Sequence, residues 1–247
     1  MDGHNPRRLT QEAETRVISY GIDDEQADYV AKDIVYHTGG TDYKVYKNGS
    51  LFAEVQLIVP GRHNVLNSLG ALVCAVEMGI KMDSILKALK EFTGAHRRFE
   101  TKGRVNGVWV VDDYAHHPTE IGVTLKAALQ TKPQRLICVF QPHRYTRTQL
   151  LFNEFCACFK GCDKLIVTDI YAASEDTIEG VNRQKLAEGI QDIAGVGGGG
   201  MRVMGDVVDY LAANARTGDL VMTIGAGDVY KVGEALVADL QRSNENV

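Results

Sequence analysis

The chain has 247 residues, of which 45% are hydrophobic and 24% charged, and its formal net charge is -5. This composition is typical of a globular protein with one large or two smaller domains, and the acidic balance predicts neither a nucleic-acid nor a membrane partner. No apolar run approaches the roughly 20 residues that cross a bilayer, and the amino-terminal MDGHNPRRLTQEAETR has no apolar signal region. We therefore expect a cytoplasmic protein.

The cysteines are odd in number and lie in apolar segments, which predicts reduced, buried thiols. They are Cys74, Cys138, Cys156, Cys158 and Cys162. The segment CACFKGC could also indicate zinc, since Cys158 and Cys162 would share one helix face. No histidine stands beside it at metal-ligand spacing, so we predict small core residues and no metal site.

The first part of the chain predicts antiparallel β-structure over residues 16–59. Runs rich in Val, Ile, Tyr and Phe are separated by Gly39-Gly40 and by Asn48-Gly49. Asn-Gly between two such runs is a strong signal for a β-hairpin.

Two helices are predicted next. Apolar residues recur at helical spacing over residues 64–80, and Asp83 is expected to cap a second helix over 84–92. The segment TGAHRRFETKG then bridges to a different pattern, and we place a domain boundary near residue 95.

From about residue 97, strand-like and helix-like segments alternate, which predicts an α/β domain with a mainly parallel sheet. The Gly197–Gly200 run is expected to form a flexible loop tip. The predicted strands cover 105–114, 135–142, 163–171 and 219–227, with the short segment 201–204 continuing the alternation; the predicted helices cover 118–130, 147–160, 182–194, 206–215 and 228–241. In such sheets ligands bind at the carboxyl ends of the strands.

Titratable residues cluster where the first of these strands ends. Asp112, Asp113, Tyr114 and His116 follow a buried run and precede Pro118, which suits the first turn of a helix. Polar capping of that helix is the simpler interpretation, but two acids followed by two histidines are more than a cap requires.

The next strand ends in a basic segment, QPHRYTRT, which contains His143, Arg144 and Arg147. Arginine offers a planar fork for a carboxylate or phosphate, and a helix amino terminus adds amide donors. A solvated basic turn is the alternative. Opposite an acidic strand end, the arginines favour a zwitterion such as an amino acid, and we expect Tyr171 and Glu175 to line the same rim.

Other segments suggest contacts with a nucleotide. The amides of Asn64 and Asn67, three residues apart, could read a base edge, although an elaborate helix cap is an alternative. Arg97 and Arg98 could reach a phosphate. The G-x-G at 225–227 is a weak signal, and the sequence contains no G-x-x-x-x-G-K-[S/T] motif.

Six ordered motifs together resemble the Mur ligase family over nearly the whole chain. They are GRHNVLNSLGA, FTGAHRRFE, DDYAHHPTEI, FQPHRYTRTQLLFNEF, IYAASE and GAGD. The resemblance implies that residues 1–95 correspond to the carboxyl-terminal part of a central ATP-binding domain, with antiparallel strands and two helices. Residues 96–247 would form a Rossmann-like domain that binds the incoming amino acid. The UDP-sugar domain and the P-loop have no counterpart, so we expect a fragment that is inactive alone.

The activity implied by the resemblance is ATP-dependent ligation in peptidoglycan precursor synthesis. L-Alanine would attack an acyl phosphate of UDP-N-acetylmuramate, with Mg2+ held mainly by residues that this sequence does not contain. Ligation of murein peptides is the close alternative, and a non-catalytic module that binds an amino acid or nucleotide is another.

The resemblance also implies roles for individual residues, carried over by position. The sets are His63, Asn64, Asn67, Arg97 and Arg98 for ATP; Tyr114, His116, His143, Arg144 and Arg147 for the substrates; and His116, Asp113 and Arg147 for catalysis. His116 is the candidate that orients or deprotonates the amine.

Overall fold

The computed structural model describes residues 15–37, 39–201 and 203–245. The chain separates into two compact units, one ending at Thr93 and the other beginning at Gly94. The amino-terminal segment in which the sequence predicts no secretory signal lies almost entirely outside the described residues. Among the helices that are described, none combines the length and apolar character needed to cross a membrane.

The first unit is built on a four-stranded sheet in the order β1-β2-β3-β4, with β1 Tyr20–Gly21, β2 Tyr29–His37, β3 Gly40–Lys47 and β4 Ser50–Leu57. Asn48 and Gly49 have φ values of 49° and 80°, the left-handed pair that a tight hairpin turn needs, as predicted. The antiparallel prediction is wrong for the first strand, because β1 is two residues long and runs parallel to β2.

Two helices, α1 Arg62–Glu77 and α2 Met82–Glu91, complete this unit. Leu69 and Leu72 of α1 are fully buried among the core residues of the sheet. The prediction that Asp83 caps α2 is wrong. Lys81 holds the cap position, without a side-chain hydrogen bond, and Asp83 lies in the first turn, where its charge still favours the helix dipole.

The second unit has a six-stranded sheet in the order β5-β6-β10-β7-β8-β9. All its strand pairs are parallel except β5 with β6, which confirms the predicted α/β class with a mainly parallel sheet. The strands are β5 Glu100–Val105, β6 Val108–Asp113, β7 Arg135–Phe140, β8 Lys164–Val167, β9 Gly198–Gly200 and β10 Asp219–Ile224. The helices are α3 Pro118–Gln130, α4 Tyr145–Leu150, α5 Phe152–Cys158, α6 Arg183–Ala194, α7 Met204–Asn214 and α8 Tyr230–Glu245.

Three details of this unit differ from the sequence prediction. The strand predicted over 105–114 contains β6 but only the last residue of β5, because Asn106-Gly107 makes a hairpin turn between them, and most of β5 lies in the predicted bridge. The helix predicted over 147–160 breaks into α4 and α5 at Leu151, whose φ of -111° is not helical. The expected loop tip at 197–200 is instead the edge strand β9, paired with β8.

The cysteines are mostly, but not all, buried as predicted. Cys138, Cys156 and Cys162 are buried, Cys158 is half-buried, and Cys74 is exposed on α1, which corrects the expectation for that residue. Within the described ranges, no three His, Cys, Asp or Glu side chains are grouped closely enough to hold a metal ion.

The sheet of the second unit brings the ends of its central strands to one level. Every residue of β6 and β10 is buried, and alternate side chains enter two hydrophobic cores on opposite faces. Ile224 at the end of β10 pairs with both Asp113 of β6 and Phe140 of β7. The segments that follow these strands therefore meet at one edge of the sheet, where parallel α/β sheets bind ligands.

Candidate functional site

A buried arginine ties this edge of the sheet together. The Arg97 guanidinium donates from Nε to Asp112 Oδ2 at 2.8 Å, from Nη1 to the Gly227 carbonyl at 3.0 Å and from Nη2 to the Gly225 carbonyl at 2.6 Å. Thr223 Oγ1 donates to the other oxygen of Asp112 at 2.6 Å. Arg97 is thus committed to internal partners, and its exposed neighbour Arg98 is the better placed of the two to reach a phosphate.

Asp113 is also buried, and it holds the backbone around it. Its two carboxylate oxygens accept hydrogen bonds from the Phe99 and Ala115 amides, each at 2.8 Å. Burial raises the pKa of Asp113 above its usual value, against the opposing effect of these amides and of the nearby Arg98 charge. Such contacts make Asp113 a residue that fixes the shape of the strand end.

The geometry of His116 determines which ring nitrogen can act as a base. Its Nδ1 lies 3.0 Å from the Tyr114 carbonyl oxygen. A carbonyl can only accept, so Nδ1 carries the proton, and Nε2 of the neutral ring holds the lone pair. His116 is therefore arranged to receive a proton at Nε2.

Glu120 secures His116 from the first turn of α3. Its Oε2 accepts from the amides of His116 and His117 at 3.1 and 3.3 Å, and lies 3.5 Å from His116 Nδ1. Burial acts to raise the pKa of Glu120, but these amides and the His116 charge prevail and lower it. The reciprocal half of the capping box is His117 Nδ1, which accepts from the Thr119 amide at 3.3 Å.

His143 has the opposite tautomer. Its Nδ1 lies 3.3 Å from Nη1 of Arg147, and because a guanidinium can only donate, this nitrogen accepts. Desolvation, followed by the charges of Arg147, His116 and Arg144, lowers the pKa of His143 below 6.5. The His116 and His143 rings have centroids 5.9 Å apart, so the structure brings these two predicted residues together.

The remaining predicted residues of this unit lie beside the histidines. The Tyr114 ring is 5.5 Å from that of His116. Arg144 has a left-handed φ of 74°, and its Nη1 lies 3.6 Å from Glu175 Oε1. Glu175 also accepts from the Thr146 amide at 3.0 Å, which anchors the start of α4.

The ATP residues predicted upstream belong to the other unit. His63, Asn64 and Asn67 lie in the first two turns of α1, as the spacing predicts. Asn64 Nδ2 donates to the Pro60 carbonyl at 2.7 Å, while Asn67 is exposed. The N-cap position itself is held by Gly61, without a side-chain hydrogen bond, which does not favour the helix-cap alternative.

Three contributors to the site were missed in the sequence. Gln141 is buried and joins β7 to the turn after β10, donating to Asp228 Oδ1 at 2.8 Å and accepting from the Val229 amide at 3.1 Å. Thr223 and Glu120 complete the networks described above. Only Glu120 had a visible signal, a Glu three residues after the cap position, which is the capping-box spacing.

Comparison with known proteins identifies two domains. A family model described as the Mur ligase glutamate ligase domain matches residues 97–227, and one described as the Mur ligase middle domain matches residues 2–75. A UDP-N-acetylmuramate–L-alanine ligase of Clostridium acetobutylicum is 43% identical over 238 residues, which are 96% of this chain and 51% of the relative. The ligase of the same name from Syntrophus aciditrophicus is 42% identical, covering 100% of this chain and 51% of the relative.

Solved structures are similar as well. The UDP-N-acetylmuramate–alanine ligase of Thermotoga maritima superposes with a TM-score of 0.77 at 25% identity, over 92% of this chain and 48% of that one. A murein peptide ligase of Psychrobacter arcticus shares the fold, with a TM-score of 0.59 at 23% identity, over 96% of this chain and 49% of that one. The chain spans about half the length of the curated relatives it matches. Because the glutamate ligase domain alone accounts for more than half of the residues, the chain belongs to the Mur ligase family.

Proposed function

We propose that this chain acts within an ATP-dependent ligase that joins L-alanine to UDP-N-acetylmuramate in cytoplasmic peptidoglycan precursor synthesis. The observation that carries the proposal is the pair of histidines with opposite tautomers, set beside Arg144 and Arg147 where β6 and β7 end on either side of β10. The names of the curated relatives favour alanine over other amino acids.

In this proposal, different residues of the site act on the carboxylate and on the ammonium group of the amino acid. Arg144 and Arg147 supply planar donors for the carboxylate of alanine. The ammonium must lose a proton before its nitrogen can attack, and His116 Nε2 would accept that proton. The nitrogen then bonds to the carbonyl carbon of the acyl phosphate, and phosphate leaves with the electron pair of the broken C–O bond. The new amide nitrogen gives up its second proton to the departing phosphate.

His143 would remain neutral during this step. A protonated imidazole would place a third positive charge beside Arg144 and Arg147 and would end the hydrogen bond that orients Arg147. Because burial and these charges lower its pKa, His143 stays an acceptor at neutral pH. His143 therefore orients the Arg147 guanidinium by a hydrogen bond, and because it carries no charge it does not compete with the two arginines for the carboxylate of alanine.

ATP and Mg2+ are part of the proposal. We propose that residues 1–95 form part of the ATP-binding domain, with His63, Asn64 and Asn67 facing the adenine, and that residues 96–247 form the amino-acid-binding domain. In the second domain, Arg98 has the exposed guanidinium that a phosphate contact needs. Among the described residues, no three His, Cys, Asp or Glu side chains are grouped as ligands, so we propose that Mg2+ is held mainly by residues outside this sequence.

The test is calorimetric titration of the folded chain with L-alanine, with D-alanine as the stereochemical control. We expect L-alanine to bind and Arg147→Ala to weaken binding by about tenfold or more, since a hydrogen bond between charged groups contributes about 1.5–3 kcal/mol. Arg242→Ala is the matched control, because Arg242 lies in the last turn of α8 and pairs with Asp239 on the surface. Equal binding by the Arg147→Ala and unaltered chains would refute the assignment of the pocket.

A further inference from the structure

Tyr171 connects the segments that follow β7 and β8. Its amide donates to the Pro142 carbonyl at 2.8 Å, and its carbonyl accepts from the Arg144 amide, also at 2.8 Å. These two bonds form an isolated parallel bridge between His143 and Tyr171, in the segments beyond the ends of β7 and β8. The backbone of Tyr171 therefore fixes Arg144, whose left-handed φ of 74° is costly for a residue with a side chain.

The ring of Tyr171 lies flat on His143. The two planes make an angle of 12°, with centroids 5.5 Å apart, in an offset stack. Tyr171 is 42% exposed, so hydrophobic burial alone does not explain why an aromatic ring is placed here.

The Tyr171 ring also lies close to the turn after β10, at a glycine. A Cβ added to Gly227 would lie 2.8 Å from the Tyr171 ring and 2.2 Å from Gln141 Oε1, closer than atoms normally approach. Gly227 also supplies the carbonyl that Arg97 binds. The ring of Tyr171 therefore contacts both His143 and the turn after β10.

We propose that Tyr171 is a positioning residue for the amino-acid pocket, holding the His143 ring so that its Nδ1 faces Arg147 while its carbonyl fixes Arg144. The inference rests on the proposed function, since the pocket it organises is the one assigned to the amino acid. Tyr171 itself takes part in no proton transfer. Its contribution is to restrict the His143 imidazole, and through it the Arg147 guanidinium, and to fix the backbone of Arg144 before the ligand arrives.

The stack also affects the charge of His143. The charged or titratable groups that face this ring are Arg147, His116, Arg144 and Glu175. Only Glu175 favours the protonated ring, and desolvation is the largest effect opposing it. Removing the aromatic cover exposes the imidazole to water, so its pKa is expected to rise toward 6.5.

The experiment compares Tyr171→Ala, which removes the ring, with Tyr171→Phe, which retains it. The His143 Cε1 proton is titrated by NMR, with its signal assigned from His143→Gln, and L-alanine binding is measured by calorimetry. We expect Tyr171→Ala to raise the His143 pKa and to weaken alanine binding about three- to tenfold, in line with the strength of aromatic pairs. Tyr171→Phe, which keeps the ring, should leave the His143 pKa and the affinity for L-alanine as they are in the unaltered chain.

Tyr171→Leu serves if the alanine variant does not fold, because leucine keeps apolar bulk without a flat ring. An unchanged His143 pKa in every variant lacking the ring would overturn the inference. If the unaltered chain binds no alanine, the assignment of the ligand fails, and the His143 titration still decides whether Tyr171 positions the imidazole.

Discussion

Replacing Arg97 with methionine should destabilise the second unit far more than the same change at Arg98. Arg97 is 8% exposed, and it donates hydrogen bonds from Nε to Asp112 and from Nη1 and Nη2 to two backbone carbonyls. Methionine fills much of the space but donates nothing. Asp112, which is 0% exposed, would then keep only the hydroxyl of Thr223 as a neutral partner.

The size of the effect follows from what is left unpaired. Removing one partner of a buried ion pair costs about 3–5 kcal/mol, mostly from the charge that remains. A domain of this size is stable by about 5–15 kcal/mol in total, so the loss should be large but measurable. Arg98 is exposed, and Arg98→Met should change stability by no more than about 0.5 kcal/mol.

The assay is urea unfolding followed by fluorescence of Trp109, the single tryptophan of the chain, which lies in β6. Its signal reports the same sheet that contains Asp112. The double variant Arg97→Met/Asp112→Leu removes both charges and should be less destabilised than Arg97→Met alone. If Arg97→Met unfolds at the same urea concentration as Arg98→Met, the guanidinium does not hold the strand ends together, and the reasoning fails.

Three further outcomes are expected. Gly107→Ala should lower the free energy of unfolding by roughly 1–3 kcal/mol, because Gly107 has a φ of 74° and an added Cβ would lie 2.6 Å from Thr217. The control is Gly122→Ala in α3, where an added Cβ meets no atom and the change should be neutral or stabilising. Equal effects of the two substitutions on urea unfolding would contradict this prediction. Glu120→Gln should lower stability at pH 7, and the deficit should shrink as pH falls, since a carboxyl whose folded pKa is depressed stabilises above its unfolded value of about 4.5 and loses that effect as pH falls through the folded pKa. A deficit independent of pH, seen in thermal unfolding, would refute this. A thiol reagent should label exposed Cys74 rapidly in the native chain, half-buried Cys158 more slowly, and the three buried cysteines only on unfolding. A phase as fast as that of Cys74 that survives Cys74→Ser would contradict the burial of the other thiols.

Strands and turns can be predicted from the sequence where they depend on local periodicity and turn residues. The buried runs of β6, β7 and β10 and the Asn48-Gly49 hairpin are predicted correctly, because each depends on neighbouring residues alone. Asn106-Gly107 carries the same turn signal, yet the strand predicted over 105–114 runs through it, and most of β5 falls in the predicted bridge. This difference therefore does not reflect missing information in the sequence.

Other differences depend on tertiary contacts. Glycines at 198–200 have low strand propensity, yet they pair along β8. A Cβ added to Gly198 would lie 1.8 Å from the carbonyl oxygen of Leu165, so this close pairing requires a glycine there. Asp83 resembles a cap, but it is the second residue of α2, and the cap position is held by Lys81.

The opposite tautomers of His116 and His143 depend on hydrogen-bond contacts that the sequence does not reveal. Both residues follow the end of a buried strand and both precede a helix, so their sequence contexts are alike. Contact with a carbonyl, which only accepts, leaves the lone pair of neutral His116 at Nε2; contact with Arg147, which only donates, makes Nδ1 of His143 an acceptor. In the function that we propose, the first imidazole receives a proton and the second orients the arginine that binds the carboxylate. Opposite roles for one residue type therefore arise from which neighbour each strand end brings within hydrogen-bonding distance.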